Sequence, residues 1–103
     1  MAHLETESLA KQCEEVSELL KSMAHPTRLL ILCSLAEKEK SVGELVDEVG
    51  ISQSLMSQFL GRMKDEGLLV SERNGRLMVY SIKDPRVFRV LKSLRDIFCR
   101  RTK

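Results

Sequence analysis

The 103-residue chain holds no run approaching the ~18–20 uninterrupted apolar residues that a membrane-spanning helix needs. Its N-terminal stretch, MAHLETESLAKQC, lacks the basic start and apolar run of a secretory signal. A cytoplasmic location with no membrane partner is therefore expected. Thiols are kept reduced there, so Cys13, Cys33 and Cys99 are not expected to form a structural disulfide framework. They are core residues, metal ligands or reactive thiols. Internal repeats, low-complexity tracts and linkers are also missing. No nucleophile–base–acid set, phosphate loop or metal-ligand cluster is visible, so neither an enzyme nor a cofactor is expected. The two histidines, His3 and His25, fall near the starts of the first two helical segments, not beside a cysteine as a thiol hydrolase would want.

Aromatic residues are scarce, at 4% of a chain that is 43% apolar, so Leu, Ile, Val and Met must do the packing. The length allows one domain, residues 1–103, with a limited core. Several apolar residues lie in terminal helical stripes that so small a monomer would struggle to cover, and dimerisation is the natural remedy. The net charge of +2 says little about partners. Its distribution says more. Residues 1–50 carry 5 Lys/Arg against 10 Asp/Glu, whereas residues 51–103 carry 12 against 5. An uneven division is common in short chains, but here the basic half begins at a segment with other unusual features.

From Ser8 to Met23, the residues Leu9, Cys13, Val16, Leu20 and Met23 recur at helical spacing and form one apolar seam. His25-Pro26-Thr27 interrupts it, with Pro26 suited to the first turn of a new helix. The next helix, Arg28 to Lys38, is apolar nearly all round, as for a central buried element, and carries Cys33 at its middle. Ser41 and Glu44 form a capping box for a short helix that should bury Val42, Leu45, Val46 and Val49 and stop at Gly50. Ser52 caps a further helix running to Glu66, with Gly67 as its stop. Its core side is Met56, Leu60 and Met63, flanked by Leu55 and Phe59; Gly61 is out of place in its interior. Leu68–Arg73 and Arg76–Ile82 read as strands joined by a tight Asn74-Gly75 turn. Asp84-Pro85 opens the last helix, whose stripe is Val87, Val90, Leu91, Leu94, Ile97 and Phe98. The expected fold is mainly α with a small β-hairpin, in the order α-α-α-α-β-β-α, with room for a small extra strand before the third helix.

Helix, tight turn, helix and basic hairpin, in that order between Ser41 and Ile82, outline a winged helix-turn-helix that reads double-stranded DNA. The second helix of the motif opens with Gln53, Ser54, Ser57 and Gln58. Amide and hydroxyl groups of this kind can meet base edges in the major groove, the glutamines pairing with adenine. A merely solvated helix face ordinarily carries Lys and Glu, yet no charge occurs from Ile51 to Gly61. Arg62 and Lys64 lie further along, where phosphate neutralisation is expected. Arg73 and Arg76 flank the hairpin tip and could reach the minor groove or backbone, although a soluble turn would also use them.

Three segments together, Met23–Cys33, Ser41–Val70 and the wing Arg73–Ile82, resemble the ArsR/SmtB-type bacterial repressors over nearly the whole chain. That resemblance implies a homodimer built through the first and last helices, with Leu9, Cys13, Val16, Leu20, Val87, Leu91, Leu94 and Phe98 at the interface. It also implies an inverted-repeat promoter site and release by an inducer. The metal-sensing branches place Cys-x-Cys after Glu-Leu, but here Val46-Asp47-Glu48 follows Glu44-Leu45. Their second site uses Asp and His on the last helix, which here holds Asp84 and Asp96 and no histidine. A zinc, nickel, cobalt or copper site is thus not expected. An As(III) site made from the three thiols stays open.

Cys33 and Cys99 match the two positions of the dithiol branch typified by HlyU, BigR and SqrR. The resemblance implies that persulfide, polysulfide or an oxidant bridges them and releases DNA. By itself, Cys33 in an apolar helix reads as a small buried hydrophobe. Arg100-Arg101 beside Cys99 would favour its thiolate. Two further rivals are an activator or antirepressor that displaces a silencing protein, and a protein-interaction module that binds no DNA. One departure concerns the reading helix: the family often has a histidine where this chain has Phe59, which suits either a thymine methyl group or the core.

Overall fold

The computed structural model describes the backbone of residues 2–98 and side chains from Ser8 onward. Helix α1 spans Ala2–Met23, α2 Pro26–Leu35, α3 Val42–Val49, α4 Gln53–Asp65 and α5 Pro85–Phe98. The strands are β1 (Lys40–Ser41), β2 (Leu69–Asn74) and β3 (Leu77–Ile82), arranged β1-β3-β2 and antiparallel throughout. This is a winged helix-turn-helix, and the short strand ahead of α3 is present. Among the described residues no helix is long and apolar enough to cross a membrane.

Local chemistry sets most boundaries. Pro26 occupies the first turn of α2, where a missing N–H costs nothing. That helix ends at Leu35, earlier than its apolar run suggests, because Lys40 and Ser41 must be extended to pair with Tyr80 and Val79. The capping box of α3 is complete: Glu44 N–H donates to Ser41 Oγ at 3.3 Å, and Ser41 N–H donates to Glu44 Oε1 at 2.9 Å. Gly50 closes α3 with φ +81°, a left-handed conformation that glycine adopts without a Cβ penalty. Two residues later Ser52 Oγ accepts the Leu55 amide at 3.1 Å and starts α4. Those two caps fix the tight turn of the motif.

The hairpin departs from expectation by one residue. Asn74 pairs with Leu77, so the two-residue loop is Gly75-Arg76 and not Asn74-Gly75. Gly75 has φ +68°, and among the described residues no residue other than glycine has a positive φ. A glycine at the first loop position followed by an ordinary residue is the type II′ pattern, whose twist matches that of the strands. Arg73 consequently faces Met78 across the ladder, and Arg76 sits in the turn itself.

Ile31 and Leu32 of α2, Leu45 of α3, Met56, Leu60 and Met63 of α4, and Val87 and Leu91 of α5 build the core with Met23 and Leu69. Each fully buried aliphatic side chain contributes roughly 1.5–3 kcal/mol. Helix α2 is not buried all round, since Leu30 remains 48% exposed. Val87 and Leu91, expected at a subunit interface, are buried in the protomer's own core. The α5 stripe is wider than a seam: Val87 and Leu91, four apart, turn inward, while Val90, Ile97 and Phe98 stay exposed. In α3 only Leu45 is fully buried; Val42, Val46 and Val49 are half-buried around it.

Gly61 is exposed on α4, and a Cβ built there meets nothing within 4 Å. No contact within the protomer therefore requires glycine. Gly61→Ala is expected to stabilise the protein by about 1 kcal/mol, the helix-propensity difference. Urea unfolding would read this directly, and an unchanged or lower midpoint would contradict it.

Candidate nucleic-acid interface

At 100° per residue, Ser54, Gln58 and Gly61 lie on the side of α4 opposite the buried stripe Met56, Leu60 and Met63. Gln53, Ser54, Ser57 and Gln58 are all exposed, as the sequence suggested. The core stripe anchors the helix, so the polar groups project from a fixed element. Arg62 is exposed on the flank of this face. Lys64 is exposed too, but its ammonium donates to Ser71 Oγ on β2 at 2.7 Å, which ties the end of α4 to the wing. Its two remaining protons are available to other acceptors. Arg73 and Arg76 are exposed at the hairpin end.

Two polar networks brace this arrangement, and neither was visible in the sequence. Arg28 of α2 grips Glu66, just beyond α4, through Nη1–Oε1 at 2.7 Å and Nη2–Oε2 at 2.9 Å. The same Nη1 donates to the Ser22 carbonyl at the end of α1. The hydrogen bond from Arg28 holds the Glu66 carboxyl below its ordinary value, and the same bond raises the Arg28 pKa. The second network centres on Lys40, whose side chain is 2% exposed. Its ammonium meets Glu48 of α3 at 2.7 Å, Glu37 at 3.0 Å and Ser34 of α2 at 3.1 Å. Ser34 also donates to Glu48. Burial alone would lower the Lys40 pKa, but the bonds to Glu48 and Glu37 outweigh it and the charge is retained. Arg95 of α5 completes the chain at 3.0 Å from Glu37. Hydrogen bonds from Lys40 first, then from Arg95, hold Glu37 low; Lys40 and Ser34 do the same for Glu48. In the sequence, the run EKEK looks like any solvated turn, so a buried lysine there carried no signal.

Cys33 is half-buried on α2, and its carbonyl accepts from Arg95 Nη1 at 3.4 Å. Helix α5 therefore crosses α2 beside this cysteine. Cys99 lies outside the described residues. Cys13 is exposed on α1. Of the other expected interface residues, Leu9, Val16, Leu20 and Phe98 are exposed and Leu94 is half-buried. An apolar groove of about 150 Å³ runs between α1 and α5, lined by Val16, Leu19, Leu20, Met23, Val87 and Val90, with Glu15 and Arg86 at its rim. Phe59 is half-buried against the core, and its ring lies 5.4 Å from that of His25 at a 53° tilt. This favours the packing alternative for that position.

Residues 25–71 match the model of a family described as bacterial regulatory protein, arsR family. The chain is 43% identical over 96 residues to the HTH-type transcriptional regulator YgaV of Escherichia coli K12, covering 92% of this chain and 97% of that protein. The crystal structure of the transcriptional repressor BigR from Xylella fastidiosa superposes with a TM-score of 0.81 at 37% identity, over 91% of this chain and 96% of that one. The homodimeric winged helix-turn-helix DNA-binding domain of Mb0332 from Mycobacterium bovis gives 0.71 at 27% identity, over 85% and 82%. Fold, motif and relatives agree over nearly the full length: the chain belongs to the ArsR family of bacterial regulatory proteins.

Proposed function

We propose that this protein is a homodimeric, DNA-binding transcriptional repressor of the cytoplasm that recognises an inverted-repeat promoter site. The observation that carries the reading is the exposed, uncharged polar face of α4 set on a buried apolar stripe and flanked by a basic wing. Gln53, Ser54, Ser57 and Gln58 read base edges, while Arg62, Lys64, Arg73 and Arg76 serve the backbone and flanking groove. Two identical protomers insert their α4 helices into successive major grooves roughly 34 Å apart. The exposed apolar residues of α1 and α5 are the dimer surface: Leu9, Val16, Leu20, Val90, Ile97 and Phe98 are too many to leave in water. The BigR relative is named a repressor and the Mb0332 domain a homodimer, which supports both points.

The proposed effector is a reactive sulfur species acting at Cys33 and Cys99. A Cys thiolate attacking polysulfide leaves a persulfide and a polysulfide one sulfur shorter. The second thiolate then displaces hydrosulfide and closes the disulfide. The crossing of α5 over α2 at Cys33 supports a link between these two helices.

In a selection from a random duplex library, the reduced protein is expected to enrich an imperfect inverted repeat. Sedimentation should find two protomers per duplex, and affinity should fall steeply with salt as counterions are released. Failure to enrich any duplex would favour an interaction module using the same fold without DNA.

A further inference from the structure

His25 has no part in the proposed DNA reading, yet its ring lies against Phe59 of the reading helix. An open cleft of about 240 Å³ lies there, lined by His25, Arg28, Leu55, Gln58, Phe59 and Arg62. Resting on the DNA-binding reading above, we propose that this cleft seats one phosphate of the DNA backbone, held by His25 together with Arg62.

Two restraints prepare His25 for this. Its Nδ1 accepts the Thr27 amide at 3.1 Å as the cap of α2. A ring nitrogen that accepts a hydrogen bond carries no proton, so in the neutral ring the proton is on Nε2. The tilted contact with Phe59 restrains the plane of the same ring. His25 thus offers an N–H donor whose tautomer and orientation are set before any ligand arrives.

The charge around the cleft suits an anion. None of its lining residues is acidic. Arg28 holds the Glu66 carboxylate; Arg62 feels that charge at longer range but has no ion pair of its own among the described residues. A guanidinium and an imidazole N–H are donor types from which non-bridging phosphate oxygens accept. The position suits DNA in particular. Leu55, Gln58 and Arg62 run along one side of α4, next to the outward face of Ser54, Gln58 and Gly61. With that face in a major groove, this side lies along the bordering sugar-phosphate strand.

The test uses the full-length reduced protein on its selected duplex, carrying single methylphosphonates one position at a time. His25→Asn keeps a capping side chain but shortens the donor; Arg62→Gln is the second variant, independent of the cap. Wild type should lose about tenfold in affinity when one particular phosphate in each half-site is neutralised. His25→Asn and Arg62→Gln should each lose about as much on unmodified DNA, selected or random, and be nearly indifferent to that same methylphosphonate. The preferred base sequence should not change.

The proposal is overturned if both variants bind within about twofold of wild type, or if they retain every methylphosphonate penalty. It is also overturned if millimolar inorganic phosphate, without DNA, saturably shifts the His25 ring resonances while His25→Asn binds DNA normally. That result would mark a small-anion site. A wild-type protein that enriches no duplex would instead remove the DNA reading itself, and the seat with it.

Discussion

Replacing Gln53 and Gln58 together by Ala is expected to weaken binding to the selected duplex on the order of a hundredfold. Each amide–adenine pair contributes roughly 1–3 kcal/mol of discrimination. Neither substitution changes a charge, so binding to random-sequence DNA and the salt slope should be nearly unaffected. Both residues are exposed on α4 and neither is part of the core, so melting temperature and dimer mass should also hold. Competition binding against specific and random duplexes separates the cases. An equal loss on both would mean that the glutamines position the helix and read no bases. No loss on either would assign the reading to another element.

Treatment with a modest excess of inorganic polysulfide is expected to lower wild-type affinity for the same duplex by about 5- to 150-fold, the usual range of allosteric coupling. Cys33→Ser should retain its affinity under the same treatment. Peptide mapping of the treated wild-type protein should find Cys33 joined to Cys99, directly or through added sulfur. The physical basis is the position of Cys33: its helix carries Ile31 and Leu32 into the core, and α5 crosses at its carbonyl through Arg95. A bond joining these helices must act on the Arg95–Glu37–Lys40–Glu48 chain that reaches α3. Equal sensitivity of Cys33→Ser would remove Cys33 from the switch. Unmodified cysteines in a folded, treated protein would make both of them packing residues and leave the regulator in need of another inducer.

The reading helix was legible because its signals are local. Ser52 and Gly67 mark its ends, Met56, Leu60 and Met63 repeat at helical spacing, and the uncharged polar start is visible as text. The hairpin was legible as a hairpin but not in register. Asn74-Gly75 and Gly75-Arg76 are both chemically sound loops, and strand pairing chooses between them. Val87 and Leu91 show a second limit. A stripe of apolar residues states that a helix has a buried side, but not whether its own protomer or a partner buries it.

By itself, then, the sequence determined the order of elements, the caps that make the tight turn, the core stripe of α4 and the polar face opposite. All of these depend on residues within about four positions of one another, where helical geometry is fixed. It took the packed fold to bury Lys40 among Glu37, Glu48 and Ser34, to clamp Arg28 on Glu66, and to set the His25 ring at a tilt against Phe59. Of these partners, Arg28 and Glu66 are 38 positions apart. Nothing in the identity of a charged or aromatic residue selects a distant mate. Packing the helices around one shared core does.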